Sequence, residues 1–270
     1  MKYVVSHIYI YPIKSLGGIQ LLNALVEPEG LKYDRRWMLV DDEGCFLSQR
    51  SLPQLCLFDV SMDNQTIFIT HRNFPNNEIS FSIHAFSEEN IQVKIWDDEV
   101  EANFVDATID KWFSDILKTN CRLVRHSTST KRKVDNQFAL KGEESDSYRT
   151  GFSDGFPVLI IGEKSLDDLN DKLQNKIQMN RFRPNIVFSG GNAFDEDNFG
   201  EIEIGSSKMK VVKPCSRCVM TTIDQHTSSR GNEPLQTLST YRKKNNKIHF
   251  GQNVLVVSVG EIKVGDEIRI

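Results

Sequence analysis

Cysteine is scarce and odd in number: the 270-residue chain carries five, Cys45, Cys56, Cys121, Cys215 and Cys218. Thiols scattered this thinly do not make a disulfide framework, and they point to a reducing, cytoplasmic setting. They also supply no four-cysteine iron–sulfur set, because only Cys215 and Cys218 are close in sequence. Long apolar runs are missing. No stretch approaches the roughly 20 residues that a membrane-spanning helix needs, so no membrane span is expected. The N-terminus "MKYVVSHIYIYPIKSLGG" alternates apolar and polar residues where a signal peptide would carry a solid apolar block, and it reads as a strand. An excess of positive charge is missing as well. With 33 Lys and Arg against 37 Asp and Glu the net charge is −4, which argues against a nucleic-acid polymer or an anionic membrane as partner. A local basic pocket remains compatible with that balance. Internal repeats and low-complexity tracts are absent, and no Gly-rich dinucleotide fingerprint follows a strand-like segment, so direct use of NADH is not expected.

What the chain does have, through its first hundred residues, is period-two patterning broken by turns. "WMLVDDEGCFLSQR" predicts a hairpin around Asp41–Gly44, "QTIFITHRNFPNNEISFSI" one around Asn73–Asn77, and "VKIWDDEVEANFV" one around Asp97–Asp98. Short strands at this spacing suggest a barrel or sandwich, not a parallel βαβ sheet. The period then changes: Ile109, Trp112, Phe113, Ile116 and Leu117 fall on one helical face. From Cys121 to Arg149 the chain is polar, with a basic "TKRK" read as a solvated surface feature and an acidic "GEESDS", so this stretch predicts a surface excursion. A buried strand follows at Val158–Ile161, then a helix whose start is signalled by Ser165 with Asp168 and whose stripe is Leu166, Leu169, Leu173 and Ile177. The remainder is glycine-punctuated strands. The expected fold is mainly β with a few helices (α+β), in two units, residues 1–120 and 121–270.

Chemistry concentrates in "KPCSRCVMTTID", residues 213–224. Its C-x-x-C spacing admits four readings. Structural zinc would need further Cys or His ligands, and His226 stands without a companion. A thioredoxin-like pair should open a helix, whereas this motif runs from strand-like "MKVVKP" into strand-like "CVMTTI". Both cysteines can equally be small core hydrophobes. The fourth reading is a single thiolate for a soft metal carried by a cofactor, with Arg217 stabilising the thiolate and holding an anionic group. An anionic cofactor needs more fixed donors, and "YPIKS", "YDRRW" and "NRFRPN" each place Lys or Arg beside aromatics or proline.

Read together and in order, "YPIKSLGG", "YDRRWMLVDDEG", "QRSLPQL", "FSDGFPVLII", "RFRPNIVFSG", "KPCSRCVMTTID" and "FGQN" followed by "VGDEIRI" resemble the MOSC-domain proteins, from about residue 3 to residue 270. More narrowly they resemble the branch with an N-terminal MOSC β-barrel domain, which contains the mitochondrial amidoxime-reducing component and bacterial reductases of N-hydroxylated bases. The resemblance implies a MOSC β-barrel packed on an N-terminal β-barrel-like domain. It implies a molybdenum cofactor, a pyranopterin dithiolene with a terminal phosphate, in a basic pocket between the two. The family's protein ligand to molybdenum is the second cysteine of the motif, here Cys218, which leaves Cys215 without that role. Lys14, Ser15, Arg35, Arg183, Asn185, Ser216 and Arg217 match cofactor-holding positions. Gly155 and Phe156 stand where the mitochondrial branch has Thr-Ser, and Asn253 replaces a tyrosine of that branch; "SDGFP" and "FGQN" look more bacterial. The implied activity is reduction of hydroxylamines, amidoximes and N-hydroxylated bases, with Asp224 as a proton donor or pocket-former. Some bacterial members append a 2Fe–2S domain. Its cysteine cluster is not found here, so the expected reductant is a separate flavoprotein, haem or iron–sulfur carrier. A cofactor carrier or sulfur-transfer protein is the alternative, since other branches are fused to sulfurases.

Overall fold

The first strand shows how the sequence sets the architecture. In Tyr3–Ile10 the buried residues are Val5, Ile8 and Ile10, and the change of phase after Val5 falls at a bulge where the pairing register slips between Val5 and His7. One inserted residue switches which side chains face inward, so an imperfect alternation still lays one apolar face on the core. The computed structural model describes residues 2–127, 130–138 and 148–270.

Seven strands close on themselves. In spatial order they are Val158–Gly162, Ile186–Ser189, Tyr3–Ile10, Glu267–Arg269, Glu201–Ile204, Ser207–Arg217 and Lys247–Ser258, which pairs back to Val158–Gly162. Closure leaves no free edge within the ring. The Val158–Gly162 and Ile186–Ser189 strands run parallel. Such a pair needs a crossover, and the helix Glu163–Asn170 lies in it. Val5, Ile8, Ile160, Ile186, Phe188, Met209, Val254 and Ile268 fill the interior. Each fully buried aliphatic chain contributes about 1.5–3 kcal/mol.

A second core gathers Trp37, Leu39, Phe58, Ile69, Phe113 and Leu123. It is enclosed by the sheet Trp37–Val40, Arg122–His126, Asp98–Phe104 and Asn90–Ile95, the meander Phe58–Met62, Thr66–His71 and Phe74–Ser82, and the helix Ala107–Leu117. That helix starts where Asp106 Oδ1 accepts the Thr108 N–H at 2.7 Å and ends on Lys118 in the left-handed region. It buries Ile109, Phe113 and Leu117, with Trp112 and Ile116 half covered, as the periodicity predicted. The sheets interleave across residue 120. Tyr3–Ile10 belongs to the seven-strand ring, Asn23–Glu27 pairs with Gly260–Lys263, and Arg122–His126 pairs with Trp37–Val40.

Several local expectations are corrected. The turn expected at Asn73–Asn77 is instead Arg72–Asn73, because His71 pairs with Phe74 and Arg72 is anchored on Asp59, Nε to Oδ2 at 2.9 Å. The next hairpin turns at Trp96–Asp97. After Asp41–Gly44 the second arm makes only isolated bridges, Val40 to Phe46 and Cys45 to Lys94. Ser165 is not a helix cap: Gly162 takes that place, and Ser165 is buried one turn later with its hydroxyl on Glu196. The helix ends at Asn170, so Leu173 and Ile177 join the same apolar cluster from outside it. The polar stretch after Cys121 opens with the Arg122–His126 strand; "GEESDS" lies outside the described residues.

One half-buried carboxyl gives a pH prediction. Burial pushes Asp110 up to about 6, against the opposing Leu123 N–H that its Oδ1 accepts at 2.7 Å. A folded value above the ordinary one of about 4 means that this group's contribution is intact in acid and is lost as pH rises through 6. Asp110→Asn keeps an acceptor and removes the charge. After allowing for partial exposure, it is expected to be more stable than wild type by about 1 kcal/mol above pH 7. The advantage should vanish below pH 4. Urea melts at pH 8 and pH 4 measure it, and equal differences at both would refute the desolvated charge.

Candidate functional site

Strand ends and connecting loops at one rim of the ring surround a cavity of 340 Å³. Twelve of the residues singled out in the sequence line it: Lys14, Ser15, Arg35, Gly155, Phe156, Arg183, Asn185, Cys215, Ser216, Arg217, Cys218 and Asn253. They come from six separate stretches. Lys14 and Ser15 follow the Tyr3–Ile10 strand, Arg183 and Asn185 precede Ile186–Ser189, and Ser216 to Cys218 close the Ser207–Arg217 strand. The lining carries six cations, Lys14, Arg35, Arg181, Arg183, Lys213 and Arg217, against one carboxylate, Asp154.

Three of these residues, Ser15 (φ 72°), Arg35 (φ 48°) and Arg183 (φ 53°), hold left-handed backbones. For residues with a Cβ that conformation costs on the order of 1 kcal/mol or more, and it persists where surrounding contacts impose it. Those contacts are visible. Arg35 Nη1 donates to Asp34 Oδ2 at 2.6 Å and to Asn185 Oδ1 at 3.3 Å, and its Nη2 donates to the Arg183 carbonyl at 3.2 Å. The Arg35 and Arg183 guanidiniums lie 4.6 Å and 4.1 Å from the centre of the Tyr11 ring. Asn185 also accepts the Leu159 N–H and donates to the Tyr9 carbonyl, so most of its amide is spent locking the loop.

The arginines are not fully spent. Arg183 Nη1 donates to the Leu16 carbonyl at 2.7 Å, and Arg217 donates Nε to Phe250 O at 2.8 Å and Nη1 to Phe182 O at 3.1 Å. Their Nη2 atoms are buried and have no partner. Buried polar groups normally find one, so two orphaned cationic donors on one cavity mark a place for an anion. Burial, reinforced by Arg35, pushes Arg183 down to about 10, which leaves it protonated at neutral pH.

Lys14 is buried and donates to the Phe152 carbonyl at 2.8 Å and to Asp154 Oδ1 at 2.6 Å. Burial pushes its ammonium down while Asp154 opposes the shift. Crowding by the surrounding wall works to raise Asp154, whose side chain still keeps much of its exposure, but the Lys14 charge, its hydrogen bond and the Trp96 indole N–H at 3.2 Å outweigh that and hold it ionised well below the usual range.

Both motif cysteines border the cavity, in different packing. Cys218 lines the cavity where the strand gives way to a short 3-10 helix, Val219–Thr222, and its carbonyl accepts from Thr221 Oγ1 at 3.0 Å. That helix replaces the strand expected for "CVMTTI", because the Thr221 and Thr222 hydroxyls bond back three residues. Cys215 borders the cavity too, but its side chain also packs with Leu159, Phe182 and Phe250, and burial pushes its thiol up. All five thiols are free. Among the described residues no three His, Cys, Asp or Glu side chains gather as a metal cage, so the zinc reading has no ligand set.

Asp224 does not line the cavity. Its carboxylate pairs with Arg181 at 2.8 Å and accepts the backbone N–H groups of His226 and Thr227. Partial burial would raise it, but these bonds hold it below its ordinary value. As an ionised loop anchor it positions Arg181 and is poorly suited to donate a proton. Sequence reasoning missed Asp154, although it sits directly before Gly155 in a motif already noticed. It also missed Arg132. The "TKRK" segment is not wholly solvated: Lys131 and Lys133 are exposed, but Arg132 is buried, with Nε on Asp98 at 2.6 Å and Nη2 on the Asp154 carbonyl at 2.9 Å, shaping the loop that carries Asp154. Flanking lysines hide it from any composition argument.

Comparison with known proteins places this geometry. Family models for the MOSC N-terminal beta barrel domain and the MOSC domain match residues 2–120 and 147–269. The chain is 33% identical to mitochondrial amidoxime reducing component 2 of Rattus norvegicus and 31% identical to mitochondrial amidoxime-reducing component 1 of Homo sapiens. Both matches cover 98% of this chain and 82% of the relative. It is 28% identical to the molybdenum cofactor sulfurase of Homo sapiens over 95% of this chain, though only 30% of that protein is covered. With two family models on its two halves and relatives above 30% identity along nearly its whole length, the chain belongs to the MOSC-domain family, in the branch that carries the MOSC N-terminal β-barrel domain and includes the mitochondrial amidoxime-reducing components.

Proposed function

We propose that this protein is a molybdenum-cofactor-dependent reductase of N-hydroxylated compounds, supplied with electrons by a separate redox protein. The observation that carries the reading is the pair of buried, unpartnered Nη2 donors of Arg183 and Arg217 on a cavity that also presents the Cys218 thiol. An anionic group satisfies those donors, and a soft thiolate suits molybdenum better than any oxygen ligand in the lining. When bound, the cofactor supplies the two-electron change that reduces the N–OH group.

The chain's own residues bind, orient and tune. Cys218 is the sulfur ligand, and Cys215, which borders the same cavity but packs partly into an apolar cluster, is not. Arg183, Arg217 and Arg35 neutralise the anionic end of the cofactor, while Ser216 and Asn253 face its polar edges. Ser15 and Asn185 act chiefly by fixing the loops, since their side chains bond to Leu47 O and Tyr9 O. Gly155 leaves open space where a Cβ would stand, and Phe156 forms wall beside it. The Lys14–Asp154 pair holds an ionised carboxylate at the wall, positioned to accept a hydrogen bond from the N–OH or amino group of a hydroxylamine, amidoxime or N-hydroxylated base.

Electron supply follows from the thiols. Cys56 and Cys121 are buried and Cys45 half-buried, none gathered as an iron–sulfur set. The protein purified from a cofactor-competent host should contain molybdenum and reduce benzamidoxime with reduced viologen. With NADH alone it should be inert until a flavin, haem or iron–sulfur carrier is added. Steady turnover on NADH alone would point to a redox centre in the protein itself. The match to a sulfurase favours a second reading, a cofactor carrier or sulfur-transfer protein. Bound molybdenum without viologen-driven reduction of any N-hydroxylated substrate would select it.

A further inference from the structure

We propose that the basic hairpin Lys243–Lys247, together with the exposed Val219, forms the docking surface for an acidic electron-carrier protein; this rests on the reductase reading above. Lys243, Lys244 and Lys247 are all exposed. They flank a two-residue turn in which Asn245 and Asn246 have φ 50° and 58°, the conformation of a tight hairpin. The neighbouring Arg242 is neutralised by Asp197 at 2.7 Å. Among the described residues no carboxylate lies within ion-pair distance of the three lysines. Lys244 and Lys247 stand directly opposite each other. Like charges in that position destabilise a strand pair, so the arrangement works against the fold locally and calls for a partner that relieves it.

Its place in the sheet gives the lysines a purpose. Lys243 pairs with Ile248, and Ile248 pairs with Arg217. Two strand spacings, about 10 Å, therefore separate Lys243 from the residue that precedes Cys218. Val219, the residue after Cys218, is 53% exposed, while Met220 beyond it lines the cavity. The Val219–Thr222 turn packs on the helix Leu235–Tyr241, which runs directly into the hairpin. A small apolar spot beside the thiol, flanked by an uncompensated cationic ridge, suits brief, electrostatically steered contact with an acidic redox domain. On a chain of net charge −4 such an island selects an acidic protein over a nucleic acid, which the rest of the surface repels. Lysines also discourage unwanted pairing at sheet edges, but glutamates do so equally, and reversing the charge separates the two roles.

The test compares the wild type with K243E/K244E/K247E. Binding is measured by titration calorimetry against an acidic flavodoxin, an acidic 2Fe–2S ferredoxin and an acidic b-type cytochrome domain, at low and high salt. At least one carrier should bind the wild type. It should bind the triple variant about tenfold or more weakly at low salt, with the gap closing as salt rises. Viologen-driven turnover should be unchanged. The proposal is overturned if none of the three carriers binds the wild type, if the variant binds as tightly, or if duplex DNA binds as well as the carriers. Should the binding pattern hold while viologen-driven turnover is absent from the wild type, the docking surface stands and the reductase reading fails.

Discussion

Cys218→Ser will bring reduction of benzamidoxime below detection, whereas Cys215→Ser will keep its bound molybdenum. The two side chains are three positions apart, yet their surroundings differ. Both border the cavity with six cations, but Cys218 sits at the strand end, whereas Cys215 also lies against Leu159, Phe182 and Phe250. A serine hydroxyl at position 218 is a harder and far less acidic donor, so it neither ionises at neutral pH nor matches a soft metal. At position 215 the same exchange places a hydroxyl in a partly apolar cluster, at a stability cost of about 1 kcal/mol and no loss of a ligand. Molybdenum quantification and circular dichroism on both variants separate ligation from folding. Equal metal loss in two folded variants would point to a two-sulfur site.

Arg183→Ala and Arg217→Ala will each strip cofactor during purification. Either change removes a buried charge-assisted bond worth about 1.5–3 kcal/mol, roughly ten- to a hundredfold in affinity. Both also abolish bonds that hold the loops, to Leu16 O in the first case and to Phe250 O and Phe182 O in the second. Arg→Lys variants control for this, since they keep the charge and lose the fork. Lys131→Ala, on an exposed side chain, should retain wild-type pterin content. Identical pterin content in all of these variants would remove the anion site from this cavity.

Local physics made much of this protein legible from its sequence. The strand character of Tyr3–Ile10 and Val158–Gly162, and the buried stripe Ile109, Phe113 and Leu117, follow from spacing alone, because burial on one face imposes a period. Motifs with Lys or Arg set between aromatics or proline pointed to Lys14, Arg35 and Arg183, since a cation among strand formers has no local reason to be there. Turn positions were less legible. Whether a hairpin reverses at Arg72–Asn73 or at Asn73–Asn77 depends on Arg72 reaching Asp59 and the Gln225 carbonyl, a contact 153 residues away.

What the sequence by itself determined was the mainly β class and the identity of most of the residues that now line one cavity. Periodicity and residue chemistry are local properties, and they survive without knowledge of what packs against them. The tertiary structure alone decided how sheets interleave across residue 120, that one of the two cavity-lining cysteines also packs into an apolar cluster, that Asp224 anchors a loop while Asp154 faces the site, and that Arg132 is buried between exposed lysines. Each of those outcomes depends on partners far along the chain, because a side chain's solvation and charge state are set by whatever the fold brings beside it.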